Sequence, residues 1–322
     1  MANLRNIKDR INSIKNTQKI TKAMKMVAAA KVKKAEYAVK SSRPFTLELA
    51  KMFYWTYLET LKNKCEKIRT KEHIDNYPAL LERREIKKTG VIIVSSNKGL
   101  AGAYNANIVR FSLNLIKKLK EENKEVVVYL VGQKAAPAIK NAQSVLDFKI
   151  AKTYTSLLDG VNSSSAYVLA TQLANDYVKE KIDSIELVTT RYKNMMTYSV
   201  EKWQLLPAVS NTDEIKNFHN KDLSDELKVS HDVHKVEPLS EFLPDLNSVL
   251  SKIVPMFITN IIYQALLEAQ ASELASRMTA MSAATNNAQD MISTLTIEYN
   301  KERQAKITQE ITEVISGAGA LN

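Results

Sequence analysis

Two long stretches of the sequence, Met1 to Arg43 and Met256 to Ser316, contain neither glycine nor proline. Proline interrupts a helix and glycine weakens it, so their absence favours helices much longer than is usual in globular proteins. Apolar residues three and four positions apart then repeat in the first stretch, at Leu4, Ile7, Ile11 and Ile14 and again at Ala28, Val32, Ala35 and Val39. This spacing is typical of a coiled-coil seam. The sequence therefore predicts two long helices that enclose the rest of the chain.

The two predicted helices attach to the same middle region, one entering it and the other leaving it. If they pack side by side, they run antiparallel. The small residues from Ala271 to Ser276 would let the two helices approach closely. Gln18, Thr21 and Lys25 occupy seam positions in the first helix. Polar residues at a seam indicate that this part of the helix faces something other than its packing partner.

The C-terminal stretch is the longer of the two, so at ~1.5 Å per residue its end would extend roughly 27 Å beyond the N-terminal helix. The pair Arg43-Pro44 is interpreted either as a kink or as an end of the first helix. The extension carries an apolar face at helical spacing, formed by Ile307, Ile311, Val314 and Ile315. Such a face has no expected partner within the chain and requires a socket in another chain.

The middle of the chain has the pattern of an α/β domain. Near-continuous runs of β-branched residues at 90–95, 126–132 and 185–190 are typical of buried parallel strands. Helical patterns lie between them, at about 105–121 and 163–181. Strands that alternate with helices predict a parallel sheet with right-handed crossovers.

The expected fold class is therefore α/β, with a long antiparallel coiled coil of the N- and C-terminal helices and a central Rossmann-like parallel α/β domain. Residues 192–206 are expected to add a hairpin at the edge of the sheet. The predicted divisions are an N-terminal helix at 1–60, a connection at 61–89, the α/β domain at 90–209, a polar loop or insertion at 210–248 and a C-terminal helix at 249–322.

The net charge of +11 is concentrated at the N-terminus, where residues 1–43 contain twelve Lys and Arg but only Asp9 and Glu36. A basic helix favours an acidic partner, which could be a nucleic acid, an anionic membrane surface or acidic protein loops. The alternative is that the lysines only solvate one face of the helix. Tyr37 is the only aromatic residue before Phe45, so stacking on nucleic-acid bases is unsupported, while lysine contacts to phosphate remain open.

The residues offer no catalytic constellation. The single cysteine, Cys65, excludes an internal disulfide framework. His231 and His234 could bind a metal by residue type, but they lie in a polar segment expected to be a solvated loop. No uninterrupted apolar run reaches the ~18–20 residues that a membrane span needs, so no direct transmembrane segment is expected.

The segment from Ser95 to Asn105 follows a predicted strand, which is where an α/β domain would place a phosphate-binding loop. Gly99 and Gly102 stand three positions apart, a spacing that fits neither the P-loop nor the dinucleotide fingerprint. We therefore expect a tight turn that packs strand against helix, and no cofactor bound by this chain.

Three segments together resemble the gamma subunit of rotary F-type ATP synthases of the bacterial type. Residues 16–31, which read NTQKITKAMKMVAAAK, closely resemble the N-terminal signature of that family, and residues 307–318, ITQEITEVISGA, look like its C-terminal signature. The Ser95 to Asn105 loop is similar to its mid-chain motif, although Ala101 stands where many members carry cysteine. The paired-cysteine regulatory insert of chloroplast members is absent from a chain with one cysteine.

The resemblance implies a central rotor shaft without catalytic residues of its own, present in one copy per complex. Its terminal helices would turn inside a hexamer of alpha- and beta-type subunits, which bind ATP or ADP and Mg. Its α/β domain would contact an epsilon-type subunit and a membrane c-type ring. The complex would couple proton transport to ATP synthesis at the cytoplasmic face of the bacterial cell membrane, where this chain would be peripheral.

The same resemblance assigns partner contacts by position. Met24, with the neighbouring charges Lys22 and Lys25, matches the residue near the acidic lever loops of the catalytic subunits. Lower on the shaft, the residues expected to contact the hexamer are Arg303, Gln304, Thr308, Glu310, Ile311 and Ile315. The segment Gln204, Leu205 and Leu206 is expected to contact the membrane ring or the epsilon-type subunit.

Three alternatives stay open from the sequence. The chain could be a gamma-like shaft of an F-type-like ATPase coupled to a load other than a proton-driven ring. It could instead be a helical nucleic-acid-binding protein that uses residues 1–43. A small-molecule enzyme built on the α/β domain is a third alternative, which the missing nucleotide fingerprint argues against.

Overall fold

The computed structural model describes residues 4–70, 79–81, 84–158, 160–208 and 246–319. The chain divides into two compact units, of which the first comprises Met1–Lys31 with Arg277–Asn322 and the second Val32–Ser276. The structure confirms the predicted fold class, because long terminal helices accompany a central sheet with helices on both faces.

The two terminal helices are α1 (Leu4–Thr70) and α5 (Leu246–Gly319). Neither ends at its proline: α1 continues through Pro44, and α5 continues through Pro255. The Arg43-Pro44 pair is therefore not an end of the helix. A proline removes one hydrogen bond to the carbonyl four residues earlier, and both prolines lie on exposed positions where water can reach the freed carbonyl.

The sheet has five strands: β1 (Lys88–Val94), β2 (Glu125–Val131), β3 (Lys149–Tyr154), β4 (Ser184–Tyr192) and β5 (Tyr198–Leu206). Their order is β3-β2-β1-β4-β5. The pairs β1–β2, β1–β4 and β2–β3 are parallel, and β4–β5 is an antiparallel hairpin at the edge, as predicted.

The shorter helices are α2 (Tyr104–Glu121), α3 (Ala136–Leu146) and α4 (Ser163–Val178), and a short 3-10 helix covers Ala79–Leu81. Each of α2, α3 and α4 connects two parallel strands. The sequence patterns did not predict α3 or β3. The helix α3 is short, and β3 is an edge strand whose residues are mostly exposed, so neither shows the apolar run that marked the other elements.

The core of the second unit lies on both faces of the sheet. Alternate residues of β1 show this, since Val91 and Ile93 pack with α2 and α3, whereas Ile92 and Val94 pack with α1, α4 and α5. All four side chains are fully buried. Burial on both faces explains why the central strands read as continuous apolar runs.

The pairing of α1 with α5 is antiparallel within each unit. In the second unit, Val32, Ala35 and Val39 form one buried cluster with Leu267, Ala271 and Ala275. In the first unit, Ile7 and Ile11 form another with Ile292 and Leu295. Hydrogen bonds show the direction: Gln18 bonds to Gln289 and Thr21 to Thr285 in the first unit, and Arg43 bonds to Glu268 and Thr46 to Asn260 in the second. Small residues lie in the seam, as the sequence predicted.

One window within α5 is long and apolar enough, by length and composition alone, to cross a membrane. No transmembrane segment was expected from the sequence, because no uninterrupted apolar run is long enough, whereas this window contains polar residues among the apolar ones. That window is 61% buried inside the folded chain. Such burial is the pattern of a core helix, which α5 is where it packs against the sheet.

A buried carboxylate links α4 to the sheet. Asp176, 5% exposed, accepts hydrogen bonds from the Tyr129 hydroxyl at 3.0 Å and the Gln172 amide at 3.1 Å, and it forms an ion pair with Lys181 at 3.0 Å. Burial raises the pKa of Asp176, but the hydrogen bonds from Gln172, Lys181 and Tyr129 outweigh it and hold the pKa below its ordinary value.

We expect Asp176→Asn to lower the free energy of unfolding at pH 7 by about 1–3 kcal/mol, because hydrogen bonds to a charged acceptor are lost. The folded pKa of Asp176 is lowered, so its contribution is present above the unfolded pKa and is lost as pH falls through the folded pKa. Urea unfolding from pH 7 to pH 3 should therefore show the gap between the two proteins narrowing below about pH 4. Asp147→Asn, at a fully exposed carboxylate, is the control. A gap that is constant with pH would contradict the assignment.

Candidate partner-binding surfaces

The first unit is an antiparallel helix pair with an apolar end and a polar centre. At the apolar end, Ile14 and Tyr299 pack against the cluster of Ile7, Ile11, Ile292 and Leu295. Toward the centre, the Gln18 side-chain amide donates a hydrogen bond to Gln289 at 2.8 Å. The hydroxyls of Thr21 and Thr285 lie 2.9 Å apart.

These contacts correct the interpretation of the polar seam. Gln18 and Thr21 do not face a different partner, because they pair with α5 of the same chain. Lys25 differs from Gln18 and Thr21, because it is exposed to solvent. A polar pair at a seam satisfies both partners by hydrogen bonding, so the helix pair continues without an apolar layer at this level.

The apolar residues of this part of α1 lie on its outside. Ile20 is 56% exposed, Met24 39% and Val27 57%. Their spacing of four and three residues places them on one face of the helix, and Met26 is exposed beside them. The segment therefore has polar side chains in the seam and apolar side chains in solvent, which is the reverse of a helix pair that functions alone.

Basic side chains of the same segment lie on other faces of the helix. Lys22 and Lys25 are exposed, and Lys19 lies beside Ile20 and is also exposed. The predicted group of Lys22, Met24 and Lys25 is therefore accessible on one helix. A helix with methyl and thioether groups on one face and ammonium groups on others can bind a partner that surrounds it and offers both apolar contacts and carboxylates.

The end of α5 forms a second exposed surface, since every residue from 300 to 316 is exposed. Ile307, Ile311, Val314 and Ile315 are 47%, 54%, 72% and 66% exposed. The structure thus confirms that the predicted apolar face is uncovered among the described residues. The remaining residues predicted here, Arg303, Gln304, Thr308 and Glu310, are exposed on the same stretch of helix.

Polar side chains at the end of α5 bond mainly within the helix. The Thr308 hydroxyl donates to the Gln304 carbonyl at 2.9 Å, and Glu310 lies 3.7 Å from the Lys306 ammonium. Both groups of the ion pair are 62% exposed, so the pair contributes little to stability and can be exchanged for contacts with another chain.

The structure corrects the predicted contact of the α/β domain. Leu205 and Leu206 are 1% and 0% exposed and belong to the core between the sheet, α4 and α5. Their side chains are therefore unavailable to a membrane ring or any other partner. Gln204, which is partly exposed, is the only one of the three that a partner could reach.

Sequence reasoning missed one exposed apolar surface of the second unit. Phe45, Met52 and Trp55 on α1 are 57%, 54% and 42% exposed, and their spacing of seven and three residues places them on one face of the helix. The spacing of these three apolar residues in the sequence already has the period of one helix face.

Hydrogen bonds within the Ser95 to Asn105 loop and from it to Thr155 hold the loop in place. The Ser96 amide donates to the Asn105 side chain at 3.1 Å, and the Asn97 amide group donates to the Thr155 carbonyl at 2.6 Å. A Cβ at Gly132, where φ is +93°, would lie 2.7 Å from the Ser95 carbonyl oxygen, so only glycine fits there. These contacts are those of a tight turn packed between strand and helix.

Within the described parts of the chain, no group of three or more His, Cys, Asp or Glu side chains is placed to hold a metal ion. His231 and His234 lie outside the described residues, as do most of residues 210–248. Cys65 lies within α1.

Comparisons with known proteins show which family the chain belongs to. A family model described as ATP synthase matches residues 3–321. The ATP synthase gamma chain of Synechococcus sp. (strain JA-3-3Ab) is 37% identical, with 100% of each chain covered. The gamma chain of Gloeobacter violaceus is 38% identical over 99% of this chain and 100% of the relative.

Two solved structures share the fold. A chain in the central stalk/c-ring structure of Tetrahymena thermophila mitochondrial ATP synthase is similar with a TM-score of 0.55 and 26% identity, covering 82% of this chain and 99% of that one. A chain of the Euglena gracilis mitochondrial ATP synthase, in a structure of OSCP, F1 and c-ring, has a TM-score of 0.60 at 18% identity over 99% and 94%. With the family match over nearly the whole sequence, these likenesses show that the chain belongs to the gamma subunits of F-type ATP synthases, which form the central stalk of that complex.

Proposed function

We propose that this chain transmits torque between a membrane rotor and a hexamer of alpha- and beta-type subunits, and that it drives the sequential conformational changes of their nucleotide sites. The observation that carries the proposal is the reversed arrangement near Met24. Hydrogen-bonded polar residues Gln18 and Thr21 lie in the seam, while Ile20, Met24 and Val27 face outward. An exposed apolar surface of that kind marks a site of protein–protein interaction.

The surrounding protein would have to supply apolar contacts and negative charge. Lys22 and Lys25 are exposed on the same segment of α1, on other faces of the helix than the apolar residues. Acidic loops of the catalytic subunits would complement these ammonium groups, and methionine tolerates a contact surface that changes as the shaft turns. This supports the assignment of Lys22, Met24 and Lys25 to the hexamer.

The exposed end of α5 would occupy an apolar socket in the same hexamer. Ile307, Ile311, Val314 and Ile315 form its apolar face. The end is a single helix with no seam partner among the described residues beyond Tyr299. Ile311 and Ile315 would make the apolar contacts, while Arg303, Gln304, Thr308 and Glu310 would make polar contacts at the rim.

Rotation would then act through the asymmetry of the shaft. The exposed face of α1 carries lysines and methionines, whereas the end of α5 carries charges of both signs. Three catalytic sites around the shaft would meet different faces at any moment, so their affinities for nucleotide would differ. Turning the shaft exchanges these faces and therefore the affinities.

We further propose that this chain contributes no catalytic group and no cofactor, and that ATP or ADP and Mg bind to the alpha- and beta-type partners. The α/β domain would contact an epsilon-type subunit and the membrane c-type ring. The chain would be peripheral, at the cytoplasmic face of the bacterial cell membrane. The Ser95 to Asn105 turn supports this part of the proposal, because Ser96 bonds to Asn105 and Asn97 bonds to Thr155.

A tagged copy of the full-length chain, recovered from the cells that express it, tests the proposal. We expect an ATPase to co-purify with alpha-, beta- and epsilon-type chains, and a c-type ring to follow when the membrane is solubilised gently. An ATPase without a c-type ring but with another machine would assign a different load. Recovery of nucleic acid without ATPase subunits would overturn the proposal.

Charge reversal at Lys22 and Lys25 should reduce coupling without unfolding the chain. Both residues are exposed, so Lys22→Glu/Lys25→Glu should change the free energy of unfolding by less than about 0.5 kcal/mol. ATP-driven ion pumping by inverted membrane vesicles should fall about threefold or more, because like charges would face the acidic loops. Lys117→Glu/Lys140→Glu, on exposed positions of α2 and α3, is the matched control. Equal pumping by variant and control would remove these lysines from the interface.

Polar substitution of the α5 end should weaken assembly. In Ile311→Ser/Val314→Ser/Ile315→Ser the apolar contacts to the socket are lost, so the ATPase activity recovered with the tagged chain should fall by roughly tenfold. Helical content by circular dichroism should stay close to that of the parent, because these side chains are exposed. The control is Val145→Ser/Tyr167→Ser/Val168→Ser, at exposed apolar residues of the α/β domain. Undiminished recovery would show that no socket holds this end.

A further inference from the structure

One turn of α5, from Ala265 to Ala269, is bonded directly to the α/β domain through its backbone. The Thr189 hydroxyl of β4 donates to the Ala265 carbonyl at 3.1 Å. The Tyr104 hydroxyl, at the start of α2, donates to the Ala269 carbonyl at 3.1 Å. All four residues are at least 96% buried.

Glu268 lies in the same turn and is 2% exposed. Its Oε1 atom accepts hydrogen bonds from Nε and Nη2 of Arg43 at 3.1 and 2.9 Å, and from the Gln264 amide at 2.9 Å. Its Oε2 atom accepts from the backbone N–H of Tyr192 at 2.7 Å, and Arg43 Nη2 also donates to the Tyr192 carbonyl at 3.1 Å. One carboxylate therefore connects α1, α5 and the end of β4. We call the group formed by Arg43, Glu268 and the Tyr192 backbone the Glu268 joint.

The joint combines apolar packing with directional bonds. Leu266 and Leu267 of the same turn are buried in apolar clusters, so apolar contact also holds α5 at this level. Apolar contact resists separation of two surfaces but is non-directional. Charge-assisted hydrogen bonds in a buried site depend on distance and angle, so they also resist sliding and rotation.

We infer that Glu268 is a positioning residue for torque transmission, which holds the end of β4 and both long helices in fixed orientation while the α/β domain is driven. The inference rests on the proposed function, since it needs a load on the domain. It adds a specific site at which that load enters the helices. Glu268 touches neither nucleotide nor the catalytic subunits in this assignment and acts only through Arg43 and Tyr192.

A purely stabilising role makes a different prediction. A buried ion pair can often be replaced by well-packed apolar residues without loss of stability, whereas removal of one partner leaves an unpaired charge and is strongly destabilising. Arg43→Met/Glu268→Met removes both charges and all the directional bonds. Glu268→Gln keeps the shape of the side chain but leaves Arg43 without its carboxylate.

The experiment uses the assembled complex in inverted membrane vesicles, with ATP hydrolysis and ATP-driven ion pumping measured at 25 °C on the same sample. We expect Glu268→Gln and Arg43→Met/Glu268→Met both to lower the ions pumped per ATP hydrolysed by about threefold or more, at matched complex content. Glu122→Gln, at an exposed carboxylate of the α/β domain, should leave the ratio unchanged. If neither variant assembles, Arg43→Lys retains the charge but loses the forked contact, and it is expected to lower the same ratio.

A ratio equal to that of the parent in every assembled variant would overturn the inference, since the apolar core would then carry the load. A ratio lowered in Glu268→Gln but normal in the double variant would also overturn it, because the unpaired charge would be the cause. Failure of the proposed function is distinguishable from both results. In that case the unsubstituted chain itself would bring down no ATPase, and pumping would not depend on its presence.

Discussion

The attachment of both terminal helices to one end of the sheet is the constraint on which the remaining structure depends. Ala265 and Ala269 are small enough for Thr189 and Tyr104 to reach the helix backbone, and Glu268 between them ties in the N-terminal helix. Because α1 and α5 are fixed at this level, their seams are in register as they continue away from the sheet within the second unit. The antiparallel direction follows from the chain entering and leaving the same domain.

The exposed surfaces follow from what the seam does not bury. Where Gln18 and Thr21 bond to α5, the apolar residues of α1 are left on the outside. Where α5 continues past its last seam partner, a whole stretch of helix is exposed. The α/β domain has a complete core by comparison, because its strands are covered on both faces. The chain thus combines a sheet that is covered on both faces with helices that leave apolar side chains exposed.

Much of the fold was predictable because long helices and buried strands leave strong periodic signals. The seam from Leu4 to Val39 and the runs of β1, β2 and β4 are confirmed, whereas α3 and β3 lack such signals and were missed. Pro44 was interpreted as a kink or an end, but a proline on the exposed side of a long packed helix does not end it.

The candidate surfaces were predictable to a different extent. Exposure of Met24 and of the end of α5 agrees with the sequence prediction, but the partner of a polar seam residue depends on tertiary pairing, so Gln18 and Thr21 were misinterpreted. Leu205 and Leu206 were placed at a surface by position in the family signature alone. The last two residues of β5 are buried because α4 and α5 pack against them. Both helices are distant from β5 in sequence, so no local sequence pattern reveals this burial.

The antiparallel seam also sets the order in which the chain can fold. Ile7 and Ile11 are synthesised first, yet they are buried by Ile292 and Leu295, which are synthesised almost last. Contacts between such distant parts of a chain form slowly, and the apolar seam of α1 stays uncovered throughout translation. The strands of the sheet are closer together in sequence, although one face of the sheet is covered by α1 and α5. The long helices pair only once the C-terminal helix has been made, so a nascent chain has an exposed apolar helix for most of its synthesis.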